Sequence, residues 1–457
     1  MSAAYPEALV PVIHELTALI RTYRAEALEA TPHGIDAIVR EVLRDVGRGT
    51  AEQLFADAAR RAVASAKAQA RAQGWALHVE RSPSITFTSI FGLITVVSPY
   101  LRPSDATAAV PQDVPFLVDE PPCGVRPVND ALRVRGGGLT IPLQRALADF
   151  GLDGSFEQAA AKVKEHYGLE VHRTTVRRTV LKQGSAAESR ASFESMEARF
   201  SPPPQSPPGP PLLVEMDGSC VRTGTLERSE KTVERTPKRQ LPVGTRHTEW
   251  KDLRLGFVRP LDQQDAIFVG GIVPLDDVAN RLRSEAIRLG WTPGTVAIRV
   301  TDGGRGVREA LDRAFPTGVH ILDKPHLLHH LYETAEAMGF DKDAAAKEVA
   351  GWAKRISGGE VDALIREFEA RKGEGEERAV QLAHYLERFR DAVHYDGFIR
   401  LGYPIGSGEI ESAHKGQVQI RMKLPGTWWT EANANRLLAL RLVRANRRWE
   451  NHWASAA

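Results

Sequence analysis

Three acidic residues stand where phosphate or metal chemistry would want them. Asp217 closes the apolar run LLVEM and is followed by Gly218 and Ser219. Asp302 repeats the arrangement 85 residues later, after VAIRV and Thr301 and before Gly303 and Gly304. A carboxylate at a strand's end with a small residue beside it leaves room for a cation or a phosphate; its plainer use is to cap a turn. If the two strands are neighbours, both carboxylates leave the sheet at one edge and share an ion. Oxygen donors of this kind suit Mg²⁺, with Mn²⁺ as a substitute, rather than zinc. The third candidate lies in PIGSGEIESAH, where Ser407 and Gly408 suit a helix start and Glu409 and Glu411 follow. Two positions on a helix are roughly 200° apart, so at most one of these glutamates faces a given site, and geometry does not choose between them. Acids here also serve the helix dipole. His414 and Lys415, three and four residues after Glu411, share its face as possible accessories. Three carboxylates can hold two metal ions about 3.5–4 Å apart, the arrangement that activates an attacking oxygen and stabilises a leaving one in phosphodiester chemistry.

Elements to position them can be read on either side. After the proline-rich stretch SPPPQSPPGPP, which no helix or central strand accepts, the texture becomes α/β. Strands are expected at 211–221, 252–261, 266–275, 295–304 and 319–323, with the second and third antiparallel neighbours and a charged loop over 222–250. Helices are expected at DVANRLRSEAIRLG and VREALDRAF, then throughout 326–396, and finally over GSGEIESAHKGQVQIRMKL and EANANRLLALRLVRANRRWE. Asp323 ends a strand and is a further carboxylate near the site. His326, with His329 and His330 behind it, resembles a zinc cluster on paper, although a phosphate-contacting or structural role suits it better.

Upstream, residues 6–74 read as helices, 83–100 as a β-hairpin and 101–130 as irregular. Ser155 with Gln158 forms a capping box, Gly168 ends that helix, and HRTTVRRTVLKQ begins another behind a short turn. This is the helix-turn-helix pattern, whose second helix enters the major groove, and it offers Arg173, Thr174, Arg177, Arg178 and Lys182 to DNA; a plain helical hairpin with solvated arginines is the alternative. Further basic residues, among them Arg421, Lys423, Arg436, Arg441, Arg444, Arg447 and Arg448, crowd the last two helices around Trp428 and Trp429. They suit phosphate contacts and base stacking, or simply a solvated basic face. The loop 228–251 is a second basic candidate.

Composition sets the bounds. The 457 residues carry 60 basic and 58 acidic side chains, a net charge of +2, so any nucleic-acid affinity must come from how charge is distributed. With two cysteines, Cys123 and Cys220, neither a disulfide framework nor a cysteine zinc site is available, which suits a reducing cytoplasmic setting. No apolar run reaches the roughly 18–20 residues of a spanning helix, and the N-terminus lacks the pattern of a signal peptide, so no membrane is expected.

The segments VEMDGSCV, VTDGGRGVREAL, ILDKPHLLHHL and YPIGSGEIESAHKGQVQIRMK together resemble the corresponding blocks of bacterial insertion-sequence transposases of the acidic-triad (DDE) kind, closest to the ISKra-type group. The likeness extends to the hairpin, the SFEQAA helix and the TTVRRTV helix. It implies an α/β RNase H-like catalytic core with a mixed sheet over 212–325 and 397–450, and an all-helical insertion at 326–396. Before it would come a helical region at 1–80, a hairpin and irregular segment at 81–135, a helix-turn-helix domain at 136–190 and a linker at 191–211. By the same resemblance Asp217, Asp302 and Glu411 are the catalytic, metal-holding triad, with Glu411 preferred because it lies three residues after the second Gly of GSG. The implied activity is Mg²⁺-dependent strand cleavage and strand transfer on double-stranded DNA, at terminal repeats and target, by a homo-oligomer. Lys415, Arg421, Lys423, Arg444 and Arg447 would join the DNA contacts. The paired cysteines that related transposases often carry after the hairpin are missing here, where the chain reads SPYLRPSD. A transposase-derived DNA-binding regulator and a structure-specific nuclease are the other readings.

Overall fold

The computed structural model describes residues 32–103, 124–200, 207–227 and 245–456, with a few positions between 10 and 22. The chain forms two compact units, residues 1–179 with 453–457, and residues 180–452.

In the first unit the described positions between 10 and 22 are helical and a long helix, Pro32–Ala72, follows, in keeping with the helices expected over 6–74; the other positions before 32 lie outside the described residues. The expected hairpin forms as β2 (Ser84–Ser89) and β3 (Gly92–Val97), and it is flanked by an unanticipated antiparallel pair, β1 (Leu77–Arg81) and β4 (Tyr100–Pro103). Alternation along the hairpin buries Ile85, Phe87, Ile94 and Val96 against Phe55, Ala59 and Val63 of the long helix. Part of the stretch expected to be irregular is a short helix, Pro127–Leu132; 104–123 lies outside the described residues. Helices Ile141–Asp153 and Phe156–Tyr167 follow. Ser155 accepts from the Gln158 backbone N–H while the Gln158 side chain takes the Ser155 N–H, the capping box read from the sequence. Gly168 turns the chain at φ 64°, a conformation that costs glycine nothing.

The next helix, Arg173–Phe200, is longer than the sequence suggested. Residues 191–200 belong to it, and the proline-rich stretch begins only at Ser201, with 201–206 outside the described residues.

The second unit is mixed α/β. Five strands, β5 (Leu212–Glu227), β6 (Thr245–Pro260), β7 (Ile267–Gly271), β8 (Ala297–Thr301) and β9 (Gly318–Leu322), lie in the order β7-β6-β5-β8-β9. β5, β6 and β7 are antiparallel neighbours; β5, β8 and β9 are parallel. One face packs Leu212, Val214, Met216, Val258 and Ala297 against helices Leu275–Arg288 and Val307–Ala314, where Val278, Leu282 and Leu311 are fully buried. Each such side chain contributes about 1.5–3 kcal/mol on leaving water. The charged loop expected over 222–250 is in large part sheet: β5 and β6 continue as a two-stranded ribbon to the pair Glu227 and Thr245, and only 228–244 lies outside the described residues. After β9 the chain is helical from Lys324 to Arg400, in five helices among the described residues, as the sequence indicated. It then returns as helix Gly408–Ala413, a π-helical turn His414–Gln419 and a last turn to Met422, followed by helices Glu431–Ala445 and Trp449–Ala456. Among the described residues no helix is long and apolar enough to cross a membrane.

Candidate active site

The parallel register brings the two aspartates together. Leu212 faces Ala297 and Glu215 faces Val300, so two residues beyond that last bonded pair Asp217 stands level with Asp302. Their 85-residue separation is the offset of this register. β8 and β9 extend the row, since Thr301 faces Leu322 and the next positions are Asp302 and Asp323. Three aspartates therefore cross one edge of three adjacent parallel strands. Residues level in such a sheet share a face, and here it is the face opposite the helix-covered core. Asp217 does not end its strand, as the sequence suggested. β8 stops short of it while β5 runs on as the ribbon, so the edge is made by the neighbour's end.

Local backbone shapes each carboxylate. Oδ1 of Asp217 accepts from the Gly218 N–H at 2.6 Å, and Oδ1 of Asp302 accepts from the Gly304 N–H at 2.8 Å. Gly303 sits at φ 85°, and a Cβ there would strike the Tyr385 hydroxyl, which donates to the Asp302 carbonyl at 3.1 Å. A residue of the helical segment thus braces the loop that bears Asp302. Tyr385→Phe is expected to cost about 1 kcal/mol, the net value of one hydrogen bond, as a lower thermal midpoint with the fold intact.

The glutamate helix arrives over this edge. Glu409 is taken by Arg259, whose Nε and Nη2 reach its two oxygens at 3.0 and 2.5 Å. Glu411 instead lies within electrostatic reach of Asp217. Burial, then the neighbouring charge of Asp302, push the Asp217 carboxyl up to about 6; Glu411 adds to the rise, while the Gly218 N–H and Arg254 oppose it. The structure therefore brings Asp217, Asp302 and Glu411 into one field and leaves Glu409 in an ion pair. Among the described residues no three His, Cys, Asp or Glu side chains are gathered closely enough to hold an ion as they stand. The donors nevertheless fit a hard dication in kind. They are carboxylates whose mutual repulsion a cation relieves, and each aspartate has one oxygen taken by backbone.

The remaining candidates divide. His414 is buried, its Nε2 3.2 Å from the Asp217 carbonyl oxygen and its ring held neutral by burial, so it ties strand to helix. The π-helical turn begins at this residue; such turns often mark functional sites. Lys415 and Lys423 are exposed, and Lys423 donates to Ser219 at 2.7 Å, two residues from Asp217. Asp323 is buried and structural: it caps helix Lys324–Ala337 through the His326 N–H and accepts the Ser407 N–H at 3.1 Å. His326 packs its ring against His330, which faces Glu333 and Arg378, so the paper zinc cluster is a histidine–carboxylate–arginine network.

Several basic residues expected to meet DNA are committed elsewhere. Arg421 is 2% exposed and lies over the Trp429 ring at 5.1 Å, and Trp429, itself 6% exposed, donates to the Met422 carbonyl; neither offers a surface. Charge on a helix with an aromatic beside it predicted contact, but the π-helical turn carries Arg421 inward. Arg441 is buried on the Gln417 and Gly416 carbonyls, Arg448 pairs with Glu285, and exposed Arg447 forks onto Asp265. Arg444 is half-buried. By contrast Arg173, Thr174, Arg177, Arg178 and Lys182 are all exposed along one helix, while Val176, Thr179, Val180 and Gln183 between them are buried.

Sequence reasoning passed over Glu215 and Arg259. Both are at most 5% exposed, and both lie in continuous apolar runs of central strands, where a charge is a signal in its own right. Comparison with protein-family models and with curated proteins finds no match for the chain.

Proposed function

We propose that the chain is a divalent-metal-dependent DNA transposase of the acidic-triad kind, with Asp217, Asp302 and Glu411 holding Mg²⁺, or Mn²⁺ in its place. The observation that carries this reading is the alignment of Asp217 with Asp302 across adjacent parallel strands, with Glu411 delivered to the same edge. Three antiparallel strands continued by two parallel ones, with a helical segment between the second aspartate and the glutamate, support an RNase H-like core. When bound, the metal pair would make an attacking oxygen nucleophilic and stabilise the leaving one. The chain's own part is to hold three carboxylates at one edge, with Asp217 partly buried and His414 fixing its backbone. In cleavage, water adds to phosphorus and the strand's 3′-oxygen leaves with the proton. In joining, that 3′-hydroxyl attacks a target phosphodiester and displaces the target's 3′-oxygen. No covalent protein intermediate is needed.

The exposed row Arg173, Thr174, Arg177, Arg178 and Lys182 supports recognition of double-stranded terminal repeats, and Lys415 and Lys423 suit phosphates beside the carboxylates. Holding two ends at once calls for a homo-oligomer on DNA. Replacing Arg178 with Ala is expected to weaken DNA binding and lower the salt slope by about 1 if it meets a phosphate; an unchanged slope removes it from the interface.

The deciding assay is cleavage of a labelled terminal-repeat duplex with Mg²⁺, Mn²⁺ or EDTA, followed by a search for joined product. Metal-dependent nicking with joining supports the transposase. Nicking without joining points to a nuclease, and binding without nicking to a regulator.

A further inference from the structure

The start of the Glu411 helix is held by three buried ionisable side chains from three different strands, or from the residue just after one. Oε2 of Glu215, on β5, accepts the Ile410 N–H at 3.0 Å. Arg259, on β6, forks onto Glu409 and turns Nη1 to the carbonyls of Pro260, Leu261 and Gln263 at 3.2, 3.1 and 2.6 Å. Asp323, following β9, accepts the Ser407 N–H, while the Lys324 N–H donates to the Ile405 carbonyl at 2.9 Å. A Cβ on Gly406 would reach Oδ1 of Asp323 at 3.5 Å, so the loop lies flat on that carboxylate. Glu215, Arg259 and Asp323 share the sheet face of Asp217 and Asp302 by strand alternation and register.

Burying such a group is costly unless it has work to do. Glu215 is 1% exposed, and its other oxygen has no hydrogen-bond partner among the described residues. An apolar residue would suit the strand's packing better. What Leu or Val cannot do is accept a helix N–H, because an N-terminal amide with no acceptor leaves the turn to choose its own rotation. Glu411 is the residue after Ile410, so fixing the Ile410 amide fixes the direction of Glu411.

We propose that Glu215, with Arg259 and Asp323, forms a positioning latch that clamps the first turn of helix Gly408–Ala413 to the sheet and so sets Glu411 against Asp217. The role of Glu411 rests on the function proposed above; the latch itself does not. Glu409 belongs to the latch through Arg259, which explains why a motif with two glutamates spends only one on the site.

The test is hydrogen exchange of residues 405–413 in the full-length protein, read by mass spectrometry, alongside Mn²⁺ affinity read by electron paramagnetic resonance. Glu215→Leu removes the acceptor and is expected to speed exchange at the Ile410 amide about tenfold, with Mn²⁺ bound about tenfold more weakly. Glu215→Gln keeps a carbonyl oxygen for Ile410 and is expected to restore both to within about twofold of wild type, a rescue that loss of packing alone would not give. Glu409→Gln, at a partly exposed position, gives the same loosening without threatening the fold, should Leu at position 215 prevent folding. Unchanged exchange over 405–413 in Glu215→Leu or, if that variant does not fold, in Glu409→Gln overturns the latch. If wild-type protein binds no Mn²⁺ that Asp217→Ala abolishes, the metal reading falls, and the exchange data still decide the latch.

Discussion

Asp217→Asn is expected to lower DNA strand cleavage by about three orders of magnitude while leaving the fold and DNA binding in place. Asn fills the same space and keeps an oxygen for the Gly218 N–H, so the local turn survives. What it loses is the negative charge that would hold a metal beside Asp302. Metal-supplied stabilisation of a phosphodiester transition state amounts to several kcal/mol, and each 1.36 kcal/mol is tenfold in rate. Asp302→Asn is expected to match it, because the two carboxylates occupy equivalent places in one row. The double variant should lose little more than either single one, since residues acting as a unit are not additive. Glu409→Gln should stay well above the aspartate variants, as Glu409 is held by Arg259 away from the site. Cleavage of a labelled duplex at saturating Mg²⁺ measures all four. Wild-type rates in Asp217→Asn would remove this residue from the chemistry.

The second large effect is on stability against pH. Burial pushes the Glu215 carboxyl up to about 8, with the Ile410 N–H opposing, and pushes Asp217 up to about 6. A carboxyl with a raised folded-state pKa keeps its proton in the folded chain over a range where the unfolded chain has lost it. Between those limits the folded state binds more protons, so stability falls as pH rises. For Glu215 the window runs from its ordinary value of 4.5 to about 8, and for Asp217 from 3.8 to about 6. The thermal midpoint is therefore expected to drop steadily from pH 5 to pH 8. Glu215→Gln cannot ionise and should exceed wild type at pH 8 by an amount on the order of a few kcal/mol, an advantage that vanishes near pH 4. Asp217→Asn should gain in the same direction by less, reaching its full gain near pH 6. Bound Mg²⁺ should offset part of the Asp217 cost. Melting curves from pH 4 to 9 decide it: a flat wild-type profile, or a Glu215→Gln curve parallel to wild type, refutes the assignment.

Both predictions turn on charges that a sheet face has no other reason to hold. The covered face of the same sheet is apolar at Leu212, Val214, Met216 and Val258 and holds Arg299 and His320 on β8 and β9, whereas this one carries Glu215, Asp217, Asp302, Asp323 and Arg259. Such concentrations of strained ionisation are where function is found more often than where stability is made.

Much of this was legible beforehand, and the reason is local. Period-two and period-3.6 apolar patterns mark strands and helices because each element must bury one side, and so the hairpin at 84–97, the five strands and the helical run after β9 could be read from the residues. Ser155, Gln158 and Gly168 announced a helix start and stop because capping is settled within four residues. The aspartates too were visible, as carboxylates where apolar runs break off before glycine. Length was less legible. Helix Arg173–Phe200 and the β5–β6 ribbon both outran their expected ends, since neither residues 191–200 nor the charged ribbon show the apolar period by which an element is recognised.

Partnership was out of reach. Nothing local says that Leu212 faces Ala297, and it is that register which turns two separate aspartates into a row and adds Asp323 to it. Glu409 and Glu411 were equivalent in sequence until Arg259, 150 residues earlier, took one of them. Arg421 and Trp429 looked like a surface for DNA and are buried, because the π-helical turn at His414–Gln419 rotates the residues after it. The sequence by itself determined which residues bear charge and which elements carry them, as those follow from short-range spacing. Which charges meet, and which are spent on holding the others in place, only the tertiary structure decided, because strand register and helix rotation are set by packing between segments far apart in the chain.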